Sequence, residues 1–315
     1  MTDPNSVCPM LKLPSTIGIE TSSLCNRACV FCPNATHKRD DEFMPEEMFI
    51  KILNDLAAVG WAKNLHLYRY NEPMRDKRLL DLIALATATL PGVCVMLNTN
   101  GDYFRSKDDI MRFFDKGGRH LQINIYSSDY DSEKAEEAAT KRFNVIQGWV
   151  NELSETVGIM QGRSLYNYSK ERRCNVVWKG ELEGFKGTMK LTNRGGILGT
   201  IPEPLRKGCT RPFRNMNINW QGDVLLCCQD YHGVVKFGNV MDKSVSELWN
   251  SYALNVYRVK LLGKDRRIPV CDQCDYSGGV YQHNVPHVSF GKDEDRKIVE
   301  ADMRSGFVPL TVSKQ

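Results

Sequence analysis

From Ser15 to about Gly199, short apolar runs alternate with stretches whose apolar residues recur at helical spacing. The runs Thr16–Thr21, Leu65–Tyr70, Val93–Thr99, Leu121–Tyr126, Asn175–Trp178 and Thr188–Leu191 predict strands. Between the first two, Met48, Phe49, Ile52, Leu53 and Leu56 form the stripe of a helix. Pro45 opens it, since a first helical turn has no use for the missing N–H. Leu79–Leu90 and Ile110–Phe114 repeat the stripe, and Asp129–Leu153 predicts a longer, strongly charged helix. Strand–helix alternation implies a parallel sheet with right-handed crossovers. The units counted are too few for a closed eight-stranded barrel. The expectation is therefore an α/β fold built on a partial (β/α)6 TIM-like barrel; Ile159–Arg173 shows neither period.

After Thr200 the pattern changes. Pro202 and Pro204 mark a linker. Asn217–Leu226 predicts a hairpin turning at Gln221-Gly222-Asp223. A helix is expected from Ser244 to Leu262, because Ser244 and Glu247 have the spacing of a capping box. The expected division is an N-terminal extension 1–14, a core domain 15–200, a small β-hairpin plus helix domain 201–290 and a charged tail 291–315.

Composition narrows the function classes. A net charge of +4, from 42 basic and 38 acidic residues, gives no reason to expect nucleic acid or an anionic membrane. Nowhere do about 18 apolar residues run together, as a membrane span requires. Met1–Leu13 contains Asp3, Pro4 and Pro9 and no apolar run, so no secretory signal is expected and the cytoplasm is the default compartment. Eleven cysteines are many for such a chain, and an odd number cannot all pair. In a reducing compartment clustered cysteines point to metal or catalysis. Cys94 and Cys174 lie in apolar runs and read as small core hydrophobes, and Cys8 is isolated.

In Cys25-Asn26-Arg27-Ala28-Cys29-Val30-Phe31-Cys32, three thiols follow the first strand within eight residues. A short loop can wrap three soft sulfur ligands around an iron–sulfur cube and leave one iron open for a substrate. Arg27, Val30 and Phe31 would tune the cube's potential and exclude water. Structural zinc, with His37 as fourth ligand, is the competing reading.

The stretch Ile19-Glu20-Thr21-Ser22-Ser23-Leu24 leading into these cysteines, with Pro33-Asn34 after them, resembles the signature of the radical S-adenosylmethionine (SAM) superfamily. The resemblance implies that the open iron of a [4Fe–4S] cluster chelates SAM, and that one electron then cleaves SAM to methionine and a 5′-deoxyadenosyl radical. A reductant such as flavodoxin or ferredoxin would supply the electron. Other segments resemble the family in order. Tyr70-Asn71-Glu72-Pro73 is similar to its Gly-Glu-Pro contact to the SAM amino group, with Asn71 in place of glycine. Asn98 and Asn100 close the third expected strand, and Asn124 and Ser127 the fourth; the resemblance implies SAM contacts there and at Phe31. Read without the family, Glu72 is a helix-start carboxylate, and Asn124 and Ser127 are turn formers.

Cys209, Cys227, Cys271 and Cys274 form a second set of four thiols. Four ligands saturate a cube, which then transfers electrons or orders the fold; a tetrahedral zinc site suits the same residues. Neighbouring strand residues face opposite sides, so only one of Cys227 and Cys228 is expected at the metal, and Cys227 is preferred. With Arg211-Pro212-Phe213, Gly222-Asp223, Phe237-Gly238-Asn239 and Leu248-Trp249, the set resembles the SPASM/twitch extension of radical SAM enzymes. No cysteine follows Cys274, which matches the shorter twitch form with one auxiliary [4Fe–4S] cluster. That form is similar to aminocyclitol-oxidising members of the superfamily, whose auxiliary cluster accepts an electron from substrate. The likeness places Arg194, in Asn193-Arg194-Gly195-Gly196, near a substrate oxygen or the SAM carboxylate; a surface arginine in a glycine-rich turn is the plain alternative.

The expected function is oxidation, or another modification, of a small polar metabolite such as a sugar or cyclitol. Crosslinking or epimerisation of a ribosomally made peptide is the second reading. It is disfavoured by the short segment before the first strand. A non-enzymatic iron–sulfur or zinc protein is the third. Glu72, Tyr126, Asp129, Asp230 and His232 are all acid–base candidates, and no spacing selects one.

Overall fold

The computed structural model describes residues 13–126, 133–161, 171–178 and 192–278. Contacts divide the chain into two compact units, one spanning Thr16–Leu191 and the other formed by Thr192–Gln315 with Met1–Ser15. The expected strand Thr188–Leu191, Ser127, Asp129, Cys8 and the charged tail lie outside the described residues.

The first unit is a parallel sheet of β1 (Thr16–Ile19), β2 (Asn64–His66), β3 (Cys94–Thr99), β4 (His120–Ile125) and β5 (Arg173–Trp178). Each strand lies beside the next in sequence. That unreversed order is the one a barrel wall has; a doubly wound sheet reverses at a switch point. The connections are α1 (Glu46–Ala58), α2 (Leu79–Thr89), α3 (Lys107–Asp115) and α4 (Glu133–Val157). α1 buries the stripe Met48, Phe49, Ile52, Leu53 and Leu56, and α3 starts in a capping box of Ser106 with Asp109. Cys94 and Cys174 are core residues, 3% and 0% exposed.

Two strands end earlier than the apolar runs predict. β2 ends at His66; past Leu67, whose N–H still donates to the Met96 carbonyl (3.4 Å), the backbone bonds to side chains rather than to a ladder. Arg69 N–H donates to Asn71 Oδ1 (2.9 Å) and Tyr70 N–H to Glu20 Oε1 (3.0 Å). The expected end of the second strand at Asn71-Glu72 is thus a turn, followed by one 3-10 turn at Pro73–Arg75. β1 stops at Ile19, and Thr21–Ser23 pair antiparallel with Glu42–Met44, closing a strap around the three-cysteine loop.

The second unit contains a single helical turn α5 (Arg211–Arg214), the antiparallel strands β6 (Asn215–Ile218), β7 (Asp223–Leu225) and β8 (Lys236–Asn239), and the helices α6 (Val245–Trp249) and α7 (Tyr252–Leu262). Gly222 takes a left-handed φ of 85° in the expected hairpin turn. The helix expected over Ser244–Leu262 is two helices. The Ser244–Glu247 capping box opens the first, and Ser251 caps the second by accepting from Leu254 N–H (3.4 Å). Arg258, 2% exposed, ties the pieces together: it donates to the Trp249 carbonyl (2.7 Å) and the Pro212 carbonyl (2.9 Å). Among the described residues no helix is long and apolar enough to cross a membrane.

Candidate functional site

The three-cysteine loop is held by two polar networks. In the first, Glu20 is fully buried between Arg39 (2.8 Å) and Arg69 (3.2 Å), whose side chains are 9% and 2% exposed. Arg39 also donates to the Ser23 carbonyl, so the pair fastens the strap to the end of β1. In the second, Arg27 forks onto Asp102 with bonds of 2.6 and 2.7 Å and donates to the Tyr126 carbonyl (3.0 Å). Asn26 donates to Asp102 and accepts from Asn100 Nδ2 (2.8 Å). The residues between Cys25 and Cys29 are thereby fixed to the loop after β3. The Arg27 guanidinium holds Asp102 below the usual carboxylate range, although burial pushes the other way.

Glu72 caps the 3-10 turn, as its position before Pro73 suggests, and also bridges three segments. Its carboxylate accepts from Met74 N–H (3.0 Å), Thr99 Oγ1 (2.6 Å) and Asn100 N–H (2.7 Å), and its own N–H donates to the Leu24 carbonyl (2.7 Å). Burial raises its pKa to about 7 against the pull of those hydrogen bonds. Asn71 is buried, and its Nδ2 has no hydrogen-bond partner. Phe31 packs on Tyr126 with ring centroids 5.2 Å apart. Val30 departs from expectation: it is 61% exposed and excludes no water. His37, the alternative zinc ligand, is engaged with the Thr36 hydroxyl at 2.8 Å.

Cys25, Cys29 and Cys32 are close enough to disfavour one another's ionisation. Burial pushes Cys29 up to about 12, with Arg27 opposing. Thiols in this state bind metal by exchanging a proton for it.

Cys209, Cys227, Cys271 and Cys274 line one small cavity of about 20 Å³, together with Arg211 and Arg266. Cys228 does not line it; its sulfur accepts from Arg211 at 2.6 Å. The two neighbouring cysteines have different surroundings, and they lie in a turn beyond β7 rather than on a strand. The Arg194 turn bonds to residues that neighbour these cysteines in sequence. Asn193 donates to the Asp275 carboxylate (2.9 Å) and the Gln273 carbonyl (2.7 Å), and Thr192 to Gln229 (2.9 Å). Gly196 is required there, since a Cβ would lie 2.6 Å from Gln273 Cβ. Arg194 itself has a left-handed φ of 53°, and its Nε is buried without a partner. Asp230 is 1% exposed and accepts from Val234 and Val235 N–H groups, so it holds its own turn; His232 is exposed.

Among the described residues, no three His, Cys, Asp or Glu side chains converge on a single ion-sized point. Zinc would need its sulfurs at about 2.3 Å.

A feature not read from the sequence is the polar face of the parallel sheet. The register places His66, Met96 and His120 in one row, Asn98, Gln122 and Asn175 in the next, and Asn124 beside Val177. Asn98, Gln122 and Asn175 are half-buried, whereas Leu97, Leu121 and Ile123 on the opposite face are at most 2% exposed. Parallel sheets covered by helices on both sides have two apolar faces; this one has a polar face. The period-2 alternation in Met96-Leu97-Asn98 and His120-Leu121-Gln122-Ile123-Asn124 carries the signal. Burial pushes His66 down to about 4, so its ring is neutral at ordinary pH. The ring stacks on Tyr68 at 5.1 Å. Gln122 donates to Asn124 (2.9 Å).

Comparison with known proteins agrees with the geometry. Residues 19–155 match the radical SAM superfamily and residues 209–275 match SPASM, an iron–sulfur cluster-binding domain. The chain is 25% identical, over 270 residues, to the S-adenosyl-L-methionine-dependent 2-deoxy-scyllo-inosamine dehydrogenase of Niallia circulans, covering 84% of this chain and 94% of that protein. Its fold is similar to a crystal structure of BtrN in complex with AdoMet and 2-DOIA, with TM-score 0.66, 22% identity and coverage of 84% and 94%. It is also similar to BtrN in an open conformation, with TM-score 0.59, 17% identity and coverage of 84% and 93%. The two matched domains bring with them SAM, a [4Fe–4S] cluster and auxiliary iron–sulfur chemistry. The chain is thus an enzyme with a radical SAM domain over residues 19–155 followed by a SPASM iron–sulfur cluster-binding domain over residues 209–275.

Proposed function

We propose that this enzyme dehydrogenates a hydroxyl-rich, non-anionic small molecule of the sugar or cyclitol class. The observation that carries the reading is the amide-rich inner face of the sheet, with Arg173 at the end of its His66–Met96–His120 row. Gln122, Asn175 and a neutral His66 offer donors and acceptors to a ring of hydroxyls, beside Asn98 and Asn124. The guanidinium groups near that face are already paired, Arg69 with Glu20 and Arg173 with Glu171 at 2.8 Å. The 25% identical relative is a cyclitol-amine dehydrogenase by name, which supports the same class.

In this reading Cys25, Cys29 and Cys32 hold the SAM-binding cube, and Cys209, Cys227, Cys271 and Cys274 hold one auxiliary cube. With SAM bound, these groups supply hydrogen-atom abstraction at one site and uptake of one electron at the other, which with a proton lost to solvent turns a carbinol into a carbonyl. Asn71 Nδ2, Asn98, Asn124 and Phe31 are assigned to SAM itself, and Ser127 by its position after β4. Glu72 and Asn100 act by holding the loop ends together, since their polar atoms already serve that purpose. Arg194, whose Nε is buried without a partner, is assigned to a substrate oxygen. A flavodoxin or ferredoxin is the proposed electron donor.

The test is 5′-deoxyadenosine release by anaerobically reconstituted, dithionite-reduced protein given SAM and a panel of probes. Inositols and aminocyclitols are expected to stimulate release with transfer of substrate deuterium, and inositol phosphates are not. Gln122→Ala is expected to lower kcat/KM about tenfold, the value of about one hydrogen bond, with iron content unchanged. Stimulation by a peptide or by the phosphorylated probes alone would overturn the assignment.

A further inference from the structure

We infer that Arg211 and Arg266 are electrostatic positioning residues that raise the reduction potential of the cluster held by Cys209, Cys227, Cys271 and Cys274, and so make it an electron acceptor. The inference rests on the reading of that cysteine set as an iron–sulfur site. Both guanidinium groups line the cavity that the four cysteines line. Arg266 is 2% exposed and directs its donors at three backbone carbonyls, those of Lys207 (2.7 Å), Tyr276 (2.7 Å) and Gly208 (3.0 Å). These acceptors lie just before Cys209 and just after Cys274, so the charge is locked to the segments that carry two of the thiols. Gly278 leaves room for this lock: a Cβ there would lie 2.2 Å from the Gly208 oxygen and 3.2 Å from Arg266 Nη2.

Arg211 is placed differently. Its guanidinium carbon lies 3.7 Å from the centre of the Tyr276 ring, and Nη1 donates to Cys228 Sγ at 2.6 Å. Carbonyls, a thiol and an aromatic face satisfy donors without cancelling a full charge. A buried cation left in this way is costly unless an anion faces it. Four thiolates around a cube supply that anion, and the cube becomes more anionic when reduced. Fixed positive charge in a low-dielectric site therefore stabilises the reduced form more than the oxidised form. Cys228 takes its meaning from the same contact: it anchors Arg211 beside the cavity and is not a spare ligand.

The measurement is EPR-monitored redox titration of the whole reconstituted chain, with SAM added to shift and so identify the signal of the other cluster. Arg211→Gln is expected to weaken electron uptake by the auxiliary cluster about tenfold, a fall of about 59 mV for a one-electron couple. Iron content should be unchanged, and Arg211→Lys should restore the potential. Should Arg211→Gln fail to assemble the cluster, Cys228→Asp tests the same charge from the other side. A carboxylate on the Arg211 donor neutralises it, and the midpoint falls while Cys228→Ser leaves it in place. An unchanged midpoint in Arg211→Gln, or in Cys228→Asp where Arg211→Gln does not assemble, overturns the inference even if the cluster is present. Zinc in the cavity would overturn the cluster assignment itself, and metal analysis tells the two failures apart.

Discussion

Replacing Glu20 by glutamine is expected to cost about 3–5 kcal/mol of stability, the usual effect of removing one partner from a buried ion pair. Glutamine keeps the shape and can still accept from Tyr70 N–H. The loss comes from leaving Arg39 and Arg69, 9% and 2% exposed, without their counter-charge. Whole domains are stable by only about 5–15 kcal/mol, so the variant should show a much lower urea midpoint at unchanged slope. The consequence for function follows from where the arginines attach. Arg39 belongs to the strap around the three-cysteine loop and also binds the Ser23 carbonyl. Iron bound per chain is therefore expected to fall even in the folded fraction. A midpoint equal to that of the unaltered protein would show that the buried pair is not what fastens the strap.

The second large effect separates two adjacent residues. Cys227→Ser is expected to remove the auxiliary cluster, about four of about eight irons per chain, and with it substrate oxidation. Cys228→Ser is expected to retain all the iron and to lower turnover by at most about tenfold, as loss of an outer contact does. The asymmetry is geometric: Cys227 lines the cavity with Cys209, Cys271 and Cys274, and Cys228 faces Arg211. Equal iron loss in the two variants would contradict it, and so would loss in Cys228→Ser alone. SAM cleavage itself should persist in both, because the three-cysteine loop belongs to the other unit.

Local pattern made much of the molecule legible, and distant partners explain the rest. The apolar runs locate β1 and β3–β5, and the Met48–Leu56 stripe locates α1, because each packs one face against a core. The end of β2 was not legible, since Tyr70 leaves the ladder for Glu20, fifty positions away. β8, Lys236–Asn239, carries no apolar run and is a strand only because β7 offers it an edge. The break between α6 and α7 falls inside a continuous helical period, where Ser251 caps a second start. At the site, Cys25, Cys29 and Cys32 stand out by spacing. Arg211 and Glu20 carry no such signal, because what distinguishes them is whom they meet. Asn98 and Asn124 were singled out by family resemblance, but their shared face with Gln122 and Asn175 emerges only when the register is known.

The most direct test of the account combines metal analysis, Mössbauer spectroscopy and SAM cleavage in a chain carrying Cys25→Ala, Cys29→Ala and Cys32→Ala. The prediction is that about half the iron remains, still as a [4Fe–4S] cluster, while methionine and 5′-deoxyadenosine are no longer formed. Continued SAM cleavage by that variant, or zinc in place of iron in the unaltered protein, would contradict it.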